Sequence, residues 1–437
     1  MRSRTRLAAG LAVLVTGLTA ASANAATAPL PGNTDVPPVH AKAETTPLFD
    51  DDAGHNSNAD DPAVWYNSAR PGSSLVLGTA KEGGLDVYGL DGHPVQTLPA
   101  PTVPAGSSAP SRFNNVDLLP GLRFPDGHRS DVAVVTDRGR DRIRFYRIDG
   151  SNPAAPLSDV TDTAVPRAFS ANEADVDDQF TAYGTAAWQD PRTGRSYVLA
   201  SRRHTAEVGL FEITVTSTGT VTYHKVRGLT LPSTFRTPGG TWTPCEDPGA
   251  GPQAEGMVVD TASGTVYIGQ EDVGVWKMSA NLTGSPRLVD RTTQFGVSAV
   301  YDPAADECVA GADPGYGGRH LTADTEGLTL FRAPSGHQYL IASSQGDYTY
   351  SVYDTSHGDR WTGAFRVAAG TSVDGTEETD GIAALDRPLG SAFPHGVFVV
   401  QDGYNAPAPG AADDGDRTDT NYKIVDLSEV MRAAGVR

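Results

Sequence analysis

The stretch Asp324-Thr325-Glu326-Gly327-Leu328-Thr329-Leu330 places two carboxylates and a glycine directly before an apolar run of the kind that forms a β-strand. A polar residue starts a comparable run at five further places, which we call launches together with the first: Asp60-Asp61-Pro62-Ala63-Val64-Trp65, Asn114-Asn115-Val116-Asp117-Leu118, Tyr183-Gly184-Thr185, Glu255-Gly256-Met257-Val258-Val259 and Asp380-Gly381-Ile382. Six equivalent strand starts predict six copies of one structural unit, with the polar residues on a shared face.

A second repeat follows each launch. It is an apolar strand that ends in polar residues, found at 75–81, 132–138, 197–203, 266–272, 339–345 and 397–402. A third short strand follows, centred on Tyr88, Tyr146, Phe211, Trp276, Tyr353 and Ile424, which are 58, 65, 65, 77 and 71 residues apart. Period-two alternation predicts strands, and the spacing suits a four-stranded blade with long loops. We therefore predict an all-β fold, a six-bladed β-propeller of mostly four-stranded antiparallel blades.

The N-terminal residues predict export. Residues 1–25 combine three arginines, an apolar stretch at 7–20 that is too short to span a membrane, and the small-x-small site Ala23-Asn24-Ala25, which together are typical of a secretory signal peptide. Residues 26–38 have the composition of a linker, and residues 39–437 form the predicted propeller. A strand at 39–43 is expected to complete the last blade, because an open ring would expose sheet edges. We expect a secreted, extracellular monomer.

The two cysteines, Cys245 and Cys308, each lie in a Gly/Pro-rich insertion that precedes a launch. Successive launches share one face, so the two insertions should be neighbours. In an exported protein this favours a disulfide, and two unpaired surface thiols are the alternative.

The formal net charge is −19 and the pI is near 4.8, which disfavours binding to nucleic acid and to anionic membranes. Solvated surface acids explain most of this charge, but carboxylates that converge at launches cannot all stay ionised unless cations neutralise them. Oxygen donors without Cys or His indicate calcium. We predict several Ca²⁺ ions, bound by Asp60, Glu255, Asp324, Glu326 and Asp380. Asp374, in the loop before the last launch, is expected to reach the same cluster.

The ends of the second strands are cationic in one half of the chain and anionic in the other. In the first three blades the second strand ends in Lys81, Arg138 and Arg202-Arg203. In the last three blades it ends in Glu271-Asp272, Gln345 with Asp347, and Asp402. Random surface charge explains each residue alone but explains the segregation poorly. Lys and Arg suit phosphate oxygens and clustered acids suit calcium, so the pattern predicts a face that binds a polyanion bridged by metal ions.

Segments that are similar to those of a known family run in order through nearly the whole mature chain: 60–65, 114–117, 255–257, 270–277, 324–329, 342–347, 379–382 and 400–403. These segments and their order resemble the β-propeller phytases, an alkaline calcium-dependent 3-phytase family. The resemblance implies a six-bladed propeller with structural and catalytic calcium ions. It also implies hydrolysis of phytate, myo-inositol hexakisphosphate, as its calcium complex.

The resemblance also implies roles for single residues. The catalytic calcium cluster would comprise Asp60, Glu255, Asp324, Glu326, Asp374 and Asp380, with Glu271 as a further acid of the cleft. The phosphate-binding residues would be Lys81, Arg138, Tyr183 and Arg203, with Arg202 beside them. Asp402 and Asn405 match a structural calcium site, and Glu44 is a candidate for a further ligand. The chain departs from the family at Glu82 and Arg203, where lysines are common, and in the cysteine insertions.

We expect direct in-line attack on phosphorus by a calcium-bound water, without a phospho-enzyme, while the cationic half holds a second phosphate of the same substrate. Two alternatives stay open. A propeller hydrolase of the lactonase type would need a single buried metal and an apolar pocket. A secreted calcium-dependent binding protein would have no catalytic activity.

Overall fold

The computed structural model describes residues 35–49, 57–406 and 419–436. The predicted signal peptide and residues 26–34 of the predicted linker lie outside the described residues. Three short strands come first: β1 Pro38–Val39, β2 Ala41–Glu44 and β3 Leu48–Phe49.

Six antiparallel sheets follow one another along the chain. Blade 1 contains β4 Pro62–Trp65, β5 Leu75–Thr79, β6 Leu85–Gly89 and β7 Pro94–Leu98. Blade 2 contains β8 Phe113–Arg123, β9 Arg129–Asp137, β10 Arg142–Ile148 and β11 Leu157–Asp159. Blade 3 contains β12 Ala182–Gln189, β13 Ser196–Arg202, β14 Glu207–Val215 and β15 Val221–Thr230.

The second half repeats this order after an inserted hairpin of β16 Phe235–Thr237 and β17 Gly240–Trp242. Blade 4 contains β18 Ala254–Asp260, β19 Thr265–Gln270, β20 Gly274–Ser279 and β21 Arg287–Arg291. A second hairpin, β22 Ala299–Asp302 with β23 Glu307–Ala310, precedes blade 5, which contains β24 Thr325–Arg332, β25 Gln338–Ser344, β26 Thr349–Asp354 and β27 Arg360–Val367. Blade 6 contains β28 Ile382–Leu385, β29 Val397–Asp402 and β30 Asp419–Asp426.

The helical segments of the described residues are short. They are α1 Glu173–Asp177, α2 Leu427–Ala433 and the 3-10 turns Pro71–Ser73, Lys81–Gly83, Gln345–Asp347 and Thr355–His357. Among the described residues, no helix is long and apolar enough to cross a bilayer.

The first strands of the blades form a closed ring. β4 contacts β8, and the contacts continue through β12, β18, β24 and β28 back to β4. Side chains join neighbouring first strands: Val116 N donates to Asp61 Oδ2 at 3.0 Å, and Ala187 N donates to Asp117 Oδ2 at 2.7 Å. The predicted six-bladed β-propeller is confirmed.

The N-terminal strands close the ring as predicted, but in two pieces. β2 adds to blade 6 as its outer strand, pairing antiparallel with β30. β1 instead adds to blade 5, where it pairs parallel with β27. The predicted single strand at 39–43 is therefore divided between the last two blades.

The hydrophobic core is divided among the blade interfaces. The described residues contain six buried apolar clusters, one between each pair of neighbouring blades. The interface of blades 5 and 6 also buries Leu427 and Val430 of α2. Burial of apolar surface therefore holds each blade to its two neighbours, and the polar launches at the ring centre are left for other roles.

Four of the launches are β-bulges within the first strand, where sequence analysis predicted strand starts. The pairing register shifts between Phe113 and Val116, and at the equivalent places in β12, β18 and β24. A bulge puts two residues opposite one and redirects a side chain. Asn114, Tyr183, Glu255 and Glu326 occupy these bulges, so their side chains depart from the alternation of the strand. In blades 1 and 6 the launch precedes the strand, as predicted.

Candidate active site

Three glutamates converge at one end of the ring. Glu255 and Glu326 lie in the bulges of β18 and β24, and Glu271 follows β19 directly. One carboxylate oxygen from each lies within 4.8 Å of the others, and all three residues are buried. The bulges therefore bring together acids from blades 4 and 5.

Lys81 extends this group toward blades 1 and 6. Its ammonium lies 3.4 Å from Asp60 Oδ1 and 3.4 Å from Asp380 Oδ2. Lys81 has a positive φ of 44°, a strained conformation for a residue with a side chain. Asp380 Oδ1 also accepts a hydrogen bond of 2.9 Å from Gln345 Nε2. The structure thus brings the launches of blades 1 and 6 into the same site.

Asp324 adds a sixth carboxylate. Burial, followed by the charges of Asp272 and Glu255, raises the pKa of Asp324 to about 7. We call Asp60, Glu255, Glu271, Asp324, Glu326 and Asp380 the acidic cluster. The structure brings together all six of these predicted residues.

The pKa values within the acidic cluster show its electrostatic strain. Burial raises the pKa of Glu271 and of Glu326 well above the ordinary value, and the charges of neighbouring acids raise both further. Burial also raises the pKa of Asp380 to about 8, although Lys81 opposes this rise. Without added cations, this many buried carboxylates cannot all be ionised at neutral pH.

Several oxygens of the acidic cluster lack partners. Asp60 Oδ2, Glu271 Oε1 and Glu326 Oε2 are buried and accept no hydrogen bond. Buried acceptors of this kind are costly unless something satisfies them. The donors are carboxylate oxygens, which hard divalent cations such as Ca²⁺ prefer. The residues present therefore fit calcium.

Two arginines, Arg138 and Arg203, border the acidic cluster, and we call them the cationic group. Arg138 NH1 donates to Asn114 Oδ1 at 3.4 Å, and Asn114 Nδ2 donates to Glu255 Oε1 at 2.7 Å. Arg138 and Arg203 share an acceptor, since Nε of Arg138 and NH1 of Arg203 lie 2.9 and 3.2 Å from Gln179 Oε1. Burial and the neighbouring Arg203 lower the pKa of Arg138. Two guanidinium groups held this close favour an anion between them.

Tyr183 links the two groups. Its ring lies under Arg138, with the guanidinium carbon 5.7 Å from the ring centroid. Burial raises the pKa of the Tyr183 hydroxyl well above its ordinary value, and Glu255 and Glu271 raise it further. Tyr183 is therefore a neutral hydroxyl between carboxylates and cations.

Arg202 does not join its neighbour Arg203. Its Nε donates to Phe180 O at 3.0 Å, and its NH1 lies 3.6 Å from Glu207 Oε2. Arg202 is the last residue of β13, and consecutive residues of a strand point to opposite faces. Of these two arginines, which were both predicted to bind substrate, only Arg203 therefore lies in the site.

Asp374 is also placed elsewhere than predicted. It lies with Glu44, Asp402 and Asn405 around the buried ammonium of Lys423, and we call these five residues the Lys423 cluster. Lys423 Nζ is 2.6 Å from Glu44 Oε2, 2.8 Å from Asn405 Oδ1 and 3.2 Å from Asp402 Oδ2, and it also contacts Asp374 Oδ1. The loop before the last launch is bonded to the end of β29 and the residues after it, since Glu377 N donates to Asp402 Oδ1 at 3.0 Å and Ala406 N donates to Asp374 Oδ2 at 2.7 Å.

Sequence analysis missed several residues of the site. Arg112, directly before β8, bears a charge that acts on Lys81, Arg138 and Arg203. Gln253 Nε2 donates to Glu271 Oε2 at 2.8 Å. A cation just before the second launch was a usable signal for Arg112, whereas nothing in the strand pattern indicated Gln179 or Gln253.

The disulfide brings a further acid to the edge of the site. Cys245 and Cys308 are bonded, with Cα atoms 6.0 Å apart, which confirms the predicted pair. Glu246 follows Cys245. Burial, then the charge of Asp272, raises the pKa of Glu246 to about 9, and Asp324 contributes to this rise. The insertion therefore extends the acidic surface beside Asp324.

Comparisons with known proteins agree on the family. The family model described as Phytase matches residues 4–239 and 249–436. A curated protein named 3-phytase from Bacillus subtilis (strain 168) is 33% identical over 402 residues, covering 91% of this chain and 85% of that protein.

Two solved structures are similar at low identity. "Crystal structure of BBS1N in complex with ARL6DN, soaked with lead" has a TM-score of 0.39 and 10% identity, covering 83% of this chain and 77% of the other. "Crystal structure of the Chaetomium thermophilum Sqt1 bound to the N-terminus of the ribosomal protein L10" has a TM-score of 0.37 and 13% identity, covering 78% and 68%. At these scores neither supports a conclusion about this chain.

Proposed function

This chain belongs to the phytase family, and we propose that it is a secreted, monomeric, calcium-dependent 3-phytase that hydrolyses phytate and releases inorganic phosphate. The substrate is proposed to bind as its calcium complex, since a highly charged polyanion would otherwise meet a chain of formal charge −19.

One observation carries the proposal: the acidic cluster and the cationic group share one site. Asn114 contacts both, because its amide donates to Glu255 and accepts from Arg138. A protein that only binds calcium would not need Arg138 and Arg203. A simple anion site would not need buried carboxylate oxygens without partners.

The residues of the site have different proposed roles. Asp60, Glu255, Glu271, Asp324, Glu326 and Asp380 would hold the calcium ions of the acidic cluster. Calcium bound there would supply an activated water as nucleophile and would neutralise charge on the phosphoryl oxygens. Lys81, Arg138 and Arg203 bind phosphate groups, Arg138 and Arg203 by charge-assisted hydrogen bonds that fix the orientation of the substrate. Tyr183, kept neutral by its surroundings, would donate a hydrogen bond from its hydroxyl to a phosphate oxygen.

The Lys423 cluster is proposed as a structural calcium site. Glu44, Asp374 and Asp402 bring three negative charges to one ammonium, so an excess of negative charge remains. Burial raises the pKa of Asp402 to about 8, even with Lys423 beside it. Glu44, Asp402 and Asn405 would be ligands of a calcium ion bound beside Lys423, which would tie β2 to blade 6.

Phosphate release from phytate tests the proposal. The purified protein should release phosphate with calcium, lose this activity in a chelator and regain it when calcium is returned. Sequencing of the exported protein should find Ala26 at its N-terminus. Calcium-dependent stabilisation without any phosphate release would contradict the enzyme and favour a binding protein. Hydrolysis of a lactone but not of phytate would favour the other alternative.

A further inference from the structure

A second kind of metal-ligand group lies at the opposite end of blade 5 from the acidic cluster. His337, Asp354 and His357 each offer one ligand atom, and these three atoms lie within 4.8 Å of one another. In β24 the acidic cluster is reached at Thr325 and Glu326, whereas the turn that carries His337 follows Arg332, about seven residues or roughly 23 Å along the strand. This group is therefore separate from the proposed active site.

Asp354 has an oxygen without a partner. The residue is only 3% exposed, and its Oδ1 accepts no hydrogen bond. Its other oxygen, Oδ2, lies 2.8 Å from Nδ1 of His357. A buried carboxylate that has one oxygen without a partner, grouped with two exposed imidazoles, offers a ligand position for a cation.

The two histidines are held by loops that are bonded to each other. His337 ends a tight turn in which Ala333 N donates to His337 O at 2.9 Å. His357 ends the 3-10 turn after β26. Gln338 joins these loops, because its N–H donates to Ser356 Oγ at 2.9 Å and its carbonyl accepts from Thr355 Oγ1 at 3.0 Å. The imidazole rings are thereby kept close, with centroids 4.7 Å apart and planes at 72°.

We propose that His337, Asp354 and His357 bind a Zn²⁺-type cation on the face opposite the active site. Two imidazole nitrogens and one carboxylate oxygen form a donor set typical of zinc, and nitrogen donors discriminate against calcium. Three protein ligands leave the fourth position to water, since both histidines are exposed. The bound ion would cross-link the β24–β25 turn to the β26–β27 turn.

Titration with Zn²⁺ tests this site in the full-length protein, loaded with calcium and free of phytate. We expect calorimetry to show one zinc site that excess calcium does not compete away. Replacing Zn²⁺ by Co²⁺ should give the visible absorption of a four-coordinate site. His337→Ala and His357→Ala should each weaken zinc binding by about tenfold or more, since even the loss of an outer hydrogen-bond partner costs 10- to 100-fold.

The control is His224→Ala, which removes another exposed histidine, on β15 in blade 3, and should leave the isotherm unchanged. Asp354→Asn provides an independent variant at the buried ligand and should also weaken zinc binding, while phosphate release in calcium stays at the wild-type level in all four proteins. An unchanged isotherm in the His337→Ala/His357→Ala double variant would overturn the proposal. So would zinc binding that calcium abolishes, because the zinc would then occupy the acidic cluster.

Discussion

Gly256 lies so close to the carbonyl oxygen of Glu326 that a Cβ atom at position 256 would overlap this oxygen. The same relationship recurs around the ring: Gly184 meets Glu255, Gly327 meets Asp380, and Gly381 meets Asp60 and Asp61. In the four launches that contain a glycine, this residue therefore makes room for the acid-bearing backbone of the next launch. These backbone contacts fix how closely Glu255, Glu326, Asp380 and Asp60 approach the neighbouring launches.

Gly256→Ala should lower the free energy of unfolding by about 1–3 kcal/mol, the usual cost of overpacking a tight site. It should also reduce phosphate release, because Glu326 must move. Denaturant unfolding in calcium and initial rates on phytate measure the two effects. Gly72→Ala is the matched control, since its Cβ would meet only one atom, at 3.9 Å, and its effect should stay within about 0.5 kcal/mol. Equal effects of the two substitutions would contradict the packing argument.

Removal of calcium should destabilise the protein. Ions that bind only the folded state stabilise it by mass action, and the repelling carboxylates add to the loss when the ions leave. We expect a chelator to lower the melting temperature and abolish activity, and calcium to restore both. Differential scanning calorimetry with and without chelator measures this. A melting curve that is the same in both conditions would count against calcium as a ligand of the folded state.

The calcium-free protein should lose stability as the pH rises. The folded-state pKa values of Asp324 and Asp380, about 7 and about 8, lie above the ordinary value of 3.8. Between these values the folded state binds more protons than the unfolded chain, so stability falls from about pH 4 to about pH 8. Urea unfolding of dialysed, metal-free protein at pH 5 and pH 8 should show the drop, and calcium should reduce it. A rise in stability over this range would refute the assignment.

Arg138→Ala and Glu326→Gln should impair different properties of the protein. The first removes a cation that is proposed to bind phosphate, so kcat/KM for phytate should fall by an amount equivalent to about 1.5–3 kcal/mol, the range for a hydrogen bond to a charged group. Its calcium-dependent stability should stay unchanged. Glu326→Gln removes a proposed metal ligand, so activity should collapse and the stabilisation by calcium should weaken.

Arg202→Ala is the control for Arg138→Ala, because the guanidinium of Arg202 contacts Phe180 and Glu207 outside the site. It should leave kcat/KM within about twofold of wild type. If Arg138→Ala and Lys81→Ala were equally mild, the cations would have no role in substrate binding.

The Cys245→Ser/Cys308→Ser double variant should lose about 2–4 kcal/mol of unfolding free energy, because the disulfide closes a loop with a sequence separation of 63. Equilibrium unfolding in calcium measures the loss, and wild-type protein unfolded in a reductant should lose a similar amount. Wild-type stability in the double variant would mean that the inserted hairpins are held by other contacts.

The repeated launches were enough to predict the blade number, since period-two strands and their spacing are local properties of the sequence. The same locality explains the disulfide, because both cysteines precede launches on one face. Bulges were not predicted, since a register shift depends on the partner strand. The position of Asp374 was predicted wrongly for a similar reason. Its partner Lys423 belongs to an ordinary strand pattern, and only the approach of β2 from the other end of the chain brings Glu44 to the same ammonium.

The pairing of β2 with β30 bears on the order in which the blades form during folding. Glu44 and Lys423 are 379 residues apart in sequence, yet they lie in contact. Closing so long a loop is entropically costly and slow, so blades 1 to 5 are expected to assemble from nearby strands before the last blade is complete. Blade 6 also contains β30, near the C-terminus, so its first strand is expected to pack against blade 1 late, and Asp60 and Asp380, from these two blades, are expected to meet only at that stage. The acidic cluster is therefore expected to be complete only at the end of folding, when blade 6 meets blade 1.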